Sequence, residues 1–460
     1  MRNNSKNENI YRSSLKLALT IVLILMLGLI FVRTWTTNYN IILRFPYVLK
    51  GNIFLMLVYM VLTYVFMILL DVNNFSEYRP ANIIFSESLA VIFCNILVYF
   101  VIIIPAAALG LMPMLPLVFM TLIDILLIVF WAIITYYIYR KVFPAKELLL
   151  ISTGSNIDEI AFKLTKRDDL YLIKEKVIYD DKDLDEIYSK CNNYDNILIG
   201  DVTSEIRNDI IKHCFDNSRN IYVVPKISDI LLKFSEDILL FDMPIYLSTS
   251  FGLTIETKFF KRLIDIVISI LVLVVFLPIW LLVALLIKIE DGGPVFFKQD
   301  RVTNDNKIFK VIKYRSMKVT DSKDVLPTVN DDDRITKIGK FIRKYHIDEV
   351  PQFINVLVGD MSIVGPRPER IEHVELYTKD ISEFPYRSKV KAGITGLAQI
   401  YGKYNTSAID KLKLDLIYIK KCSLIFDFEL MLRTLRVLIM KENTEGFDVE
   451  KQEYIKENAK

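Results

Sequence analysis

The chain has 460 residues, 53% of them apolar, with 57 basic residues against 54 acidic ones and a formal charge of +3. That apolar share, with a positive mean hydropathy, argues against a purely soluble protein, and the near-neutral charge gives no reason to expect a nucleic-acid partner. The 4 cysteines (Cys94, Cys191, Cys214, Cys422) show no C-x-x-C spacing and the 3 histidines (His213, His346, His373) are dispersed, which argues against a disulfide framework and a zinc cluster and leaves a hard cation held by oxygen.

Apolar runs near residues 15–32, 52–70, 83–109 and 114–139 each approach the ~20 residues that a spanning helix needs. The first lacks a small-residue cleavage site and reads as an anchor. Arg2, Lys6, Arg12 and Lys16 precede it, and Arg140, Lys141 and Lys146 follow the fourth. By the positive-inside rule both ends are cytoplasmic, although Arg33, Arg44 and Lys50 in the first loop run against that assignment. Asp124 lies within the fourth run and reads either as part of an ion or substrate pathway or as a protonated or paired acid facing other helices.

From residue 146 the pattern changes to short strands and helices. ELLLIS (147–152), NILIG (196–200) and NIYVVP (220–225) read as strands and IDEIAFKLTK as a helix, the alternation of a Rossmann-like β/α domain over 146–250. The turn after the first strand is STGSN, with Gly154 alone, and no G-x-G occurs in the chain. Dinucleotide binding is therefore weakly signalled, and a structural or regulatory role is the better reading.

A fifth apolar run, 263–288, is also long enough to cross a membrane. Pro278 near its middle removes a backbone donor and bends the helix. Lys261 and Arg262 flank one end and Lys288 the other. On these residues alone, a kinked span and a helix that returns to the face it entered from both stand.

Beyond residue 290 the chain is dense in basic residues and glycine turns: DGGPVFFKQDRV (291–302) with Lys298 and Arg301, KYRSM (313–317) with Arg315, and the long stretch 331–369. The last of these carries Arg343, the adjacent acids Asp348 and Glu349 in HIDEVPQF, Asp360, and Arg367 in a Gly-Pro-Arg-Pro turn. Arginine forks match phosphate oxygens, so this density around one acidic pair points to a pyrophosphate substrate. The plain alternative for the pair is a helix start, where aspartate caps and acids are favoured in the first turn.

The string from Lys261 to Thr434 (KRLID, the FFKQ-R run, KYRSM, RITKIGKFIR, DEVPQFINVLVGDMSIVGPRP, GITGLAQI, then Lys411, Asp415, Tyr418 and Asp427) resembles the bacterial sugar transferase family, the polyprenyl-phosphate hexose-1-phosphate transferases or monotopic phosphoglycosyl transferases. Four spans followed by a Rossmann-like segment resemble its long, exopolysaccharide-priming subgroup. Leu277, Thr303 and Ala392 depart from the family pattern at loop and bend positions. The resemblance implies a membrane α plus α/β architecture: four transmembrane helices over 1–145, the β/α domain, and a catalytic domain over 251–440 anchored by a re-entrant helix at about 261–289, before a polar tail over 441–460. Lys261, Arg262, Asp265 and Pro278 would anchor that helix at the membrane face.

By the same resemblance the chain transfers a sugar-1-phosphate from a UDP-sugar to undecaprenyl phosphate at the cytoplasmic face of the membrane. Asp348 would be the nucleophile and Glu349 a ligand of Mg²⁺, with Arg343, Arg367 and Arg315 on the substrate phosphates. A homodimer and polysaccharide assembly proteins are the implied partners. Two other functions stay open at this point: a membrane-bound nucleotide-sugar dehydratase or epimerase using the β/α domain, and a non-catalytic assembly scaffold. The segment 408–440 mixes lysines with apolar residues and fits either an interfacial or a buried core helix.

Overall fold

A computed structural model describes residues 2–72, 78–104, 112–179, 184–249, 254–318, 334–402 and 406–439. The chain divides into two compact units, one running to Val224 and one beginning at Pro225. The tail expected over 441–460 lies outside the described residues.

The first unit opens with four long helices, α1 (Arg2–Thr34), α2 (Leu49–Leu69), α3 (Pro80–Val98) and α4 (Leu115–Val142). The segments Ile10–Ile42, Leu49–Leu69, Pro80–Ile103 and Leu115–Val142 are each long and apolar enough to cross a membrane. The third apolar run reaches residue 109 in the sequence, and 105–111 lie outside the described residues. Polar side chains join the helices where lipid offers no partner: Tyr59 donates to Asn95 Oδ1 at 2.9 Å, and Asn95 Nδ2 donates to Thr121 Oγ1 at 2.9 Å and to Asp124 Oδ2 at 3.3 Å. Asp124 is fully buried, with its Oδ2 turned to Asn95 of α3.

Four strands follow in the order β2-β1-β3-β4, all parallel: β1 (Lys146–Ser152), β2 (Tyr171–Ile178), β3 (Asn196–Ile199) and β4 (Asn220–Val223). Both faces are covered, as a parallel sheet requires. Leu149 and Ile151 of β1 join Ile187, Cys191, Ile210 and Cys214 of α6 (Leu184–Asn192) and α7 (Ser204–Asp216). Between them Leu150 points the other way, onto Ile157 and Ala161 of α5 (Gly154–Thr165). The sequence reading missed β2, an edge strand whose YLIKEKVI alternates half-exposed and charged positions instead of an apolar run.

The second unit begins with α8 (Ile227–Lys233) and the hairpin β5 (Glu236–Leu240)–β6 (Met243–Leu247), which the sequence reading had assigned to the preceding domain. Two apolar helices come next, α9 (Ile255–Val275) and α10 (Leu277–Asp291), bent by 64°. The break is at Phe276. Pro278 has no N–H for the Val274 carbonyl, and its ring crowds that turn, so the helix opens two residues ahead of the proline.

The antiparallel pair β7 (Phe296–Val302) and β8 (Ile308–Tyr314) leads to α11 (Lys337–Lys344), α12 (Gln352–Val358), β9 (Ser362–Val364), α13 (Ile371–Asp380), β10 (Gly393–Thr395), α14 (Leu397–Tyr401), α15 (Ala408–Lys421) and α16 (Leu424–Ile439). Strands β9 and β10 pair in parallel. Leu412, Leu416, Tyr418 and Ile419 of α15 and Leu430 of α16 are buried in one core with Phe309, Val311, Val356 and Phe384. The described part of the 408–440 segment is thus two core helices broken at Cys422–Ser423.

Candidate active site

Helix α11 starts where Thr336 Oγ1 accepts from the Gly339 amide at 2.9 Å and Glu290 accepts from the Lys337 amide at 2.8 Å. Gly339 is required by packing: a Cβ there would lie 2.0 Å from the Ser316 carbonyl oxygen. After Tyr345 the chain turns sharply through His346, whose φ of 54° is left-handed. One 3₁₀ turn, Ile347–Glu349, follows, and then α12, whose cap is Pro351. Asp348 caps neither element, but both acids sit in the first turn of the 3₁₀ segment, so the first-turn part of the helix-start explanation holds and the capping part does not. At the far end of α12, the Val356 and Leu357 carbonyls accept from the Arg262 guanidinium at 2.5 and 2.7 Å. Helix α9 therefore caps the helix that follows the pair.

The two acids have different surroundings. Glu349 Oε1 accepts from Lys313 Nζ at 2.7 Å and from Arg367 Nη2 at 2.6 Å, and its Oε2 receives a longer 3.4 Å contact from Arg367 Nη1. Burial alone would raise its pKa, but the charges and hydrogen bonds of Arg367 and Lys313 outweigh burial and hold it far below the carboxylate range. Asp348 has no hydrogen bond among the described residues. Burial and then the negative charge of Glu349 raise its pKa, opposed by Lys313, His346 and Arg343. One acid is thus a fixed anion held by two cations, and the other has both oxygens uncommitted.

Of the other residues singled out in the sequence, Arg367 reaches the pair directly and Arg343 acts on Asp348 through charge alone. Arg315 lies elsewhere. It is buried, with its guanidinium against Gly293, where an added Cβ would be 1.9 Å from Nη1. Lys261, Arg262 and Asp265 fasten α9 to the core. Lys261 pairs with Asp427 and donates to the Val364 carbonyl at 3.0 Å, while Asp265 Oδ1 accepts from the Ile363 amide at 3.0 Å. Pro278 stands apart from this chemistry, at the bend.

Lys313 is the residue the sequence reading missed. Its signal was strand parity: in β8 it shares a face with Phe309 and Val311, both buried, and so it is a lysine pointing inward. Arg387, Glu369 and Asp415 form a second buried charged group behind Arg367.

A cleft of about 830 Å³ opens beside Glu349 and Arg367. Its polar end includes Glu369, Arg387, Lys411 and His373; its apolar wall includes Ile268 of α9, Phe353 of α12, and Met431, Leu435 and Leu438 of α16. The site can therefore receive a ligand with an anionic head and a long hydrocarbon part.

A family described as "Bacterial sugar transferase" matches residues 256–441. The chain is 37% identical over 266 residues to the "UDP-glucose:undecaprenyl-phosphate glucose-1-phosphate transferase" of Klebsiella pneumoniae, covering 55% of this chain and 54% of that one. It is 41% identical over 185 residues to the "UDP-N-acetylgalactosamine-undecaprenyl-phosphate N-acetylgalactosaminephosphotransferase" of Aeromonas hydrophila, covering 39% and 44%. It spans about half the length of these curated relatives. Against the "Exopolysaccharide production protein PSS" of Rhizobium leguminosarum bv. phaseoli, it is 39% identical over 196 residues that cover 40% of this chain and 96% of that protein. With a relative matched over nearly its whole length, this chain belongs to the bacterial sugar transferase family.

Proposed function

We propose that the chain transfers a sugar-1-phosphate from a UDP-sugar to undecaprenyl phosphate through a covalent intermediate on Asp348. The observation that carries this is the division between the two acids: Glu349 is neutralised by Lys313 and Arg367, while Asp348 has no hydrogen bond among the described residues and meets the same cations at a distance. A carboxylate oxygen of Asp348 attacks the sugar-bearing phosphorus, the bond from that phosphorus to UMP breaks, and an acyl phosphate forms. A phosphate oxygen of the acceptor then attacks the same phosphorus and releases Asp348. The acceptor is already an anion near neutral pH, so neither step asks for a strong general base.

Among the described residues no group of three or more His, Cys, Asp or Glu side chains could enclose a metal ion. The donor set does fit Mg²⁺ in its usual manner, with one carboxylate, water and the diphosphate completing the shell. Glu349 would hold it through Oε2, the oxygen with only the 3.4 Å contact. When bound, the ion would neutralise charge on the departing UMP. Arg367 and Arg343 would bind the phosphates, and Lys313 would keep Glu349 ionised and aimed.

The re-entrant reading of α9–α10 is supported by the bend and by its surface. Leu263, Val267, Leu271, Val274, Leu281 and Leu285 are all exposed, as lipid around both arms would explain. The apolar part of α9, residues 263–275, is about 20 Å long and the 15-residue α10 about 22 Å, so with each arm about 32° below the membrane plane, half of the bend, they reach depths of about 10 and 12 Å, short of the ~15 Å to the bilayer centre. Such a V would stay in one leaflet and return to the face it entered from, which fits a catalytic domain on the side where nucleotide sugars are made.

The dehydratase or epimerase alternative loses ground. At the switch point of the parallel sheet, beyond β1 and β3, Asn156 Nδ2 donates to Asp201 Oδ2 at 2.8 Å across the crevice where a dinucleotide would lie. Membranes carrying the protein, incubated with undecaprenyl phosphate and a panel of labelled UDP-sugars, test the proposal: label should enter lipid from at least one donor, and none from any donor refutes it.

A further inference from the structure

The turn that carries Arg367 cannot hold itself. Pro366 and Pro368 on either side have no N–H to contribute, so its carbonyls are fixed from outside. Four consecutive ones are. The Gly393 amide donates to the Pro366 oxygen at 2.8 Å, Arg387 Nη2 to the Arg367 oxygen at 3.0 Å, Arg301 Nη1 to the Pro368 oxygen at 3.0 Å, and the Val302 amide to the Glu369 oxygen at 3.1 Å. Two of the four donors are arginine side chains that reach neither Asp348 nor Glu349 through a hydrogen bond.

Arg387 is an unusual choice for such a task, because its side chain is 8% exposed and a buried cation is costly unless paired. It is paired twice: Asp415 Oδ2, 1% exposed, lies at 2.8 Å, and Glu369 Oε1 lies at 3.4 Å. Phe384 supports the guanidinium with its ring centroid at 5.0 Å. This buried group is assembled around a residue whose hydrogen bond toward the site ends on the backbone of Arg367. The Arg367 side chain itself is 45% exposed, so packing does not aim it, and the turn must.

We propose that Arg387 is a positioning residue which, with Arg301 on the neighbouring carbonyl, holds the turn at residues 365–369 so that the Arg367 fork meets Glu349 and the donor phosphates. The inference rests on the transfer reaction proposed above and adds to it a residue that borders the cleft and whose hydrogen bond toward the acidic pair ends on the Arg367 backbone. Lysine at 387 keeps the charge for Asp415 but has no planar fork to reach both the carboxylates and the Arg367 carbonyl.

The test is a double-mutant cycle on the full-length protein in detergent, read as kcat/KM for sugar-phosphate transfer alongside thermal unfolding. Arg387→Lys should lower kcat/KM by about 10-fold or more in the wild-type background and by less than about 2-fold in an Arg367→Met background, because the residue it positions is gone. Arg301→Lys is carried through the same cycle with the same expectation, so a folding defect in one variant does not silence the experiment. Equal losses in both backgrounds, or wild-type activity of folded Arg387→Lys and Arg301→Lys, overturn the clamp. Absence of transfer by the wild-type protein from every UDP-sugar is a different result: it overturns the functional reading and the clamp with it.

Discussion

At the scale of single residues, Asp348 and Glu349 are chemically alike and set apart by their neighbours. Attack needs Asp348 ionised, and burial together with Glu349 raises its pKa, so activity is lost on the acid side above the ordinary aspartate range. Lys313 opposes that rise. Lys313→Met should move the acid limb of the pH–rate profile to higher pH, and an unmoved or lowered limb in kcat/KM would count against the assignment. Stability takes opposite signs at the two acids. Asp348 has a raised folded pKa, so its ionised form penalises the fold above that pKa, and Asp348→Asn should raise the unfolding temperature at pH 7. Glu349 has a depressed folded pKa, so its contribution is present above the unfolded value and is lost as pH falls through the folded one. Glu349→Gln should accordingly destabilise the protein at pH 7 by roughly 1–3 kcal/mol by leaving two cations without their anion, measurable as a lower unfolding temperature. The acidic pair was legible from its neighbouring motifs, but this asymmetry was not. It depends on Lys313, 36 residues away on a strand, which approaches only when β8 is in place.

At the scale of elements, the sequence showed apolar runs and proline better than it showed charged edges. The four long helices and β1, β3 and β4 stand where their apolar patterns put them. Strand β2 and the hairpin strand β8 were lost among lysines and glutamates, because half-exposed strands alternate weakly. HIDEVPQF was harder still: helix-favouring residues there form one 3₁₀ turn, because left-handed His346 redirects the chain before α12 can begin. The bend before Pro278 was predictable in kind, and its consequence is testable. Pro278→Ala restores the missing donor, and the 37 residues from 255 to 291 would form a helix of about 55 Å, long enough to cross the ~30 Å hydrocarbon core. Cysteine labelling from outside the cell at a site beyond residue 291 should be absent in the wild type and appear in the Pro278→Ala variant. Labelling of the wild type from outside would contradict the one-leaflet placement.

At the scale of the whole molecule, the second unit has its own core and contains every residue assigned to the reaction. The relative from Rhizobium leguminosarum is matched over 96% of its length by 40% of this chain, and the family match at residues 256–441 lies in that unit. Residues 225–460, expressed with α9 and α10 in membranes, should therefore keep transfer activity within about 10-fold of the full chain; loss of all activity with the unit still folded would assign the four-helix segment or the parallel sheet a catalytic part. The central claim is the covalent intermediate on Asp348. Exchange of labelled UMP into UDP-sugar, run without any lipid acceptor, tests it most directly. The wild-type protein should exchange label and Asp348→Asn should not; normal exchange by Asp348→Asn, or none by a wild-type protein that transfers sugar-phosphate to lipid, would contradict a covalent intermediate on Asp348.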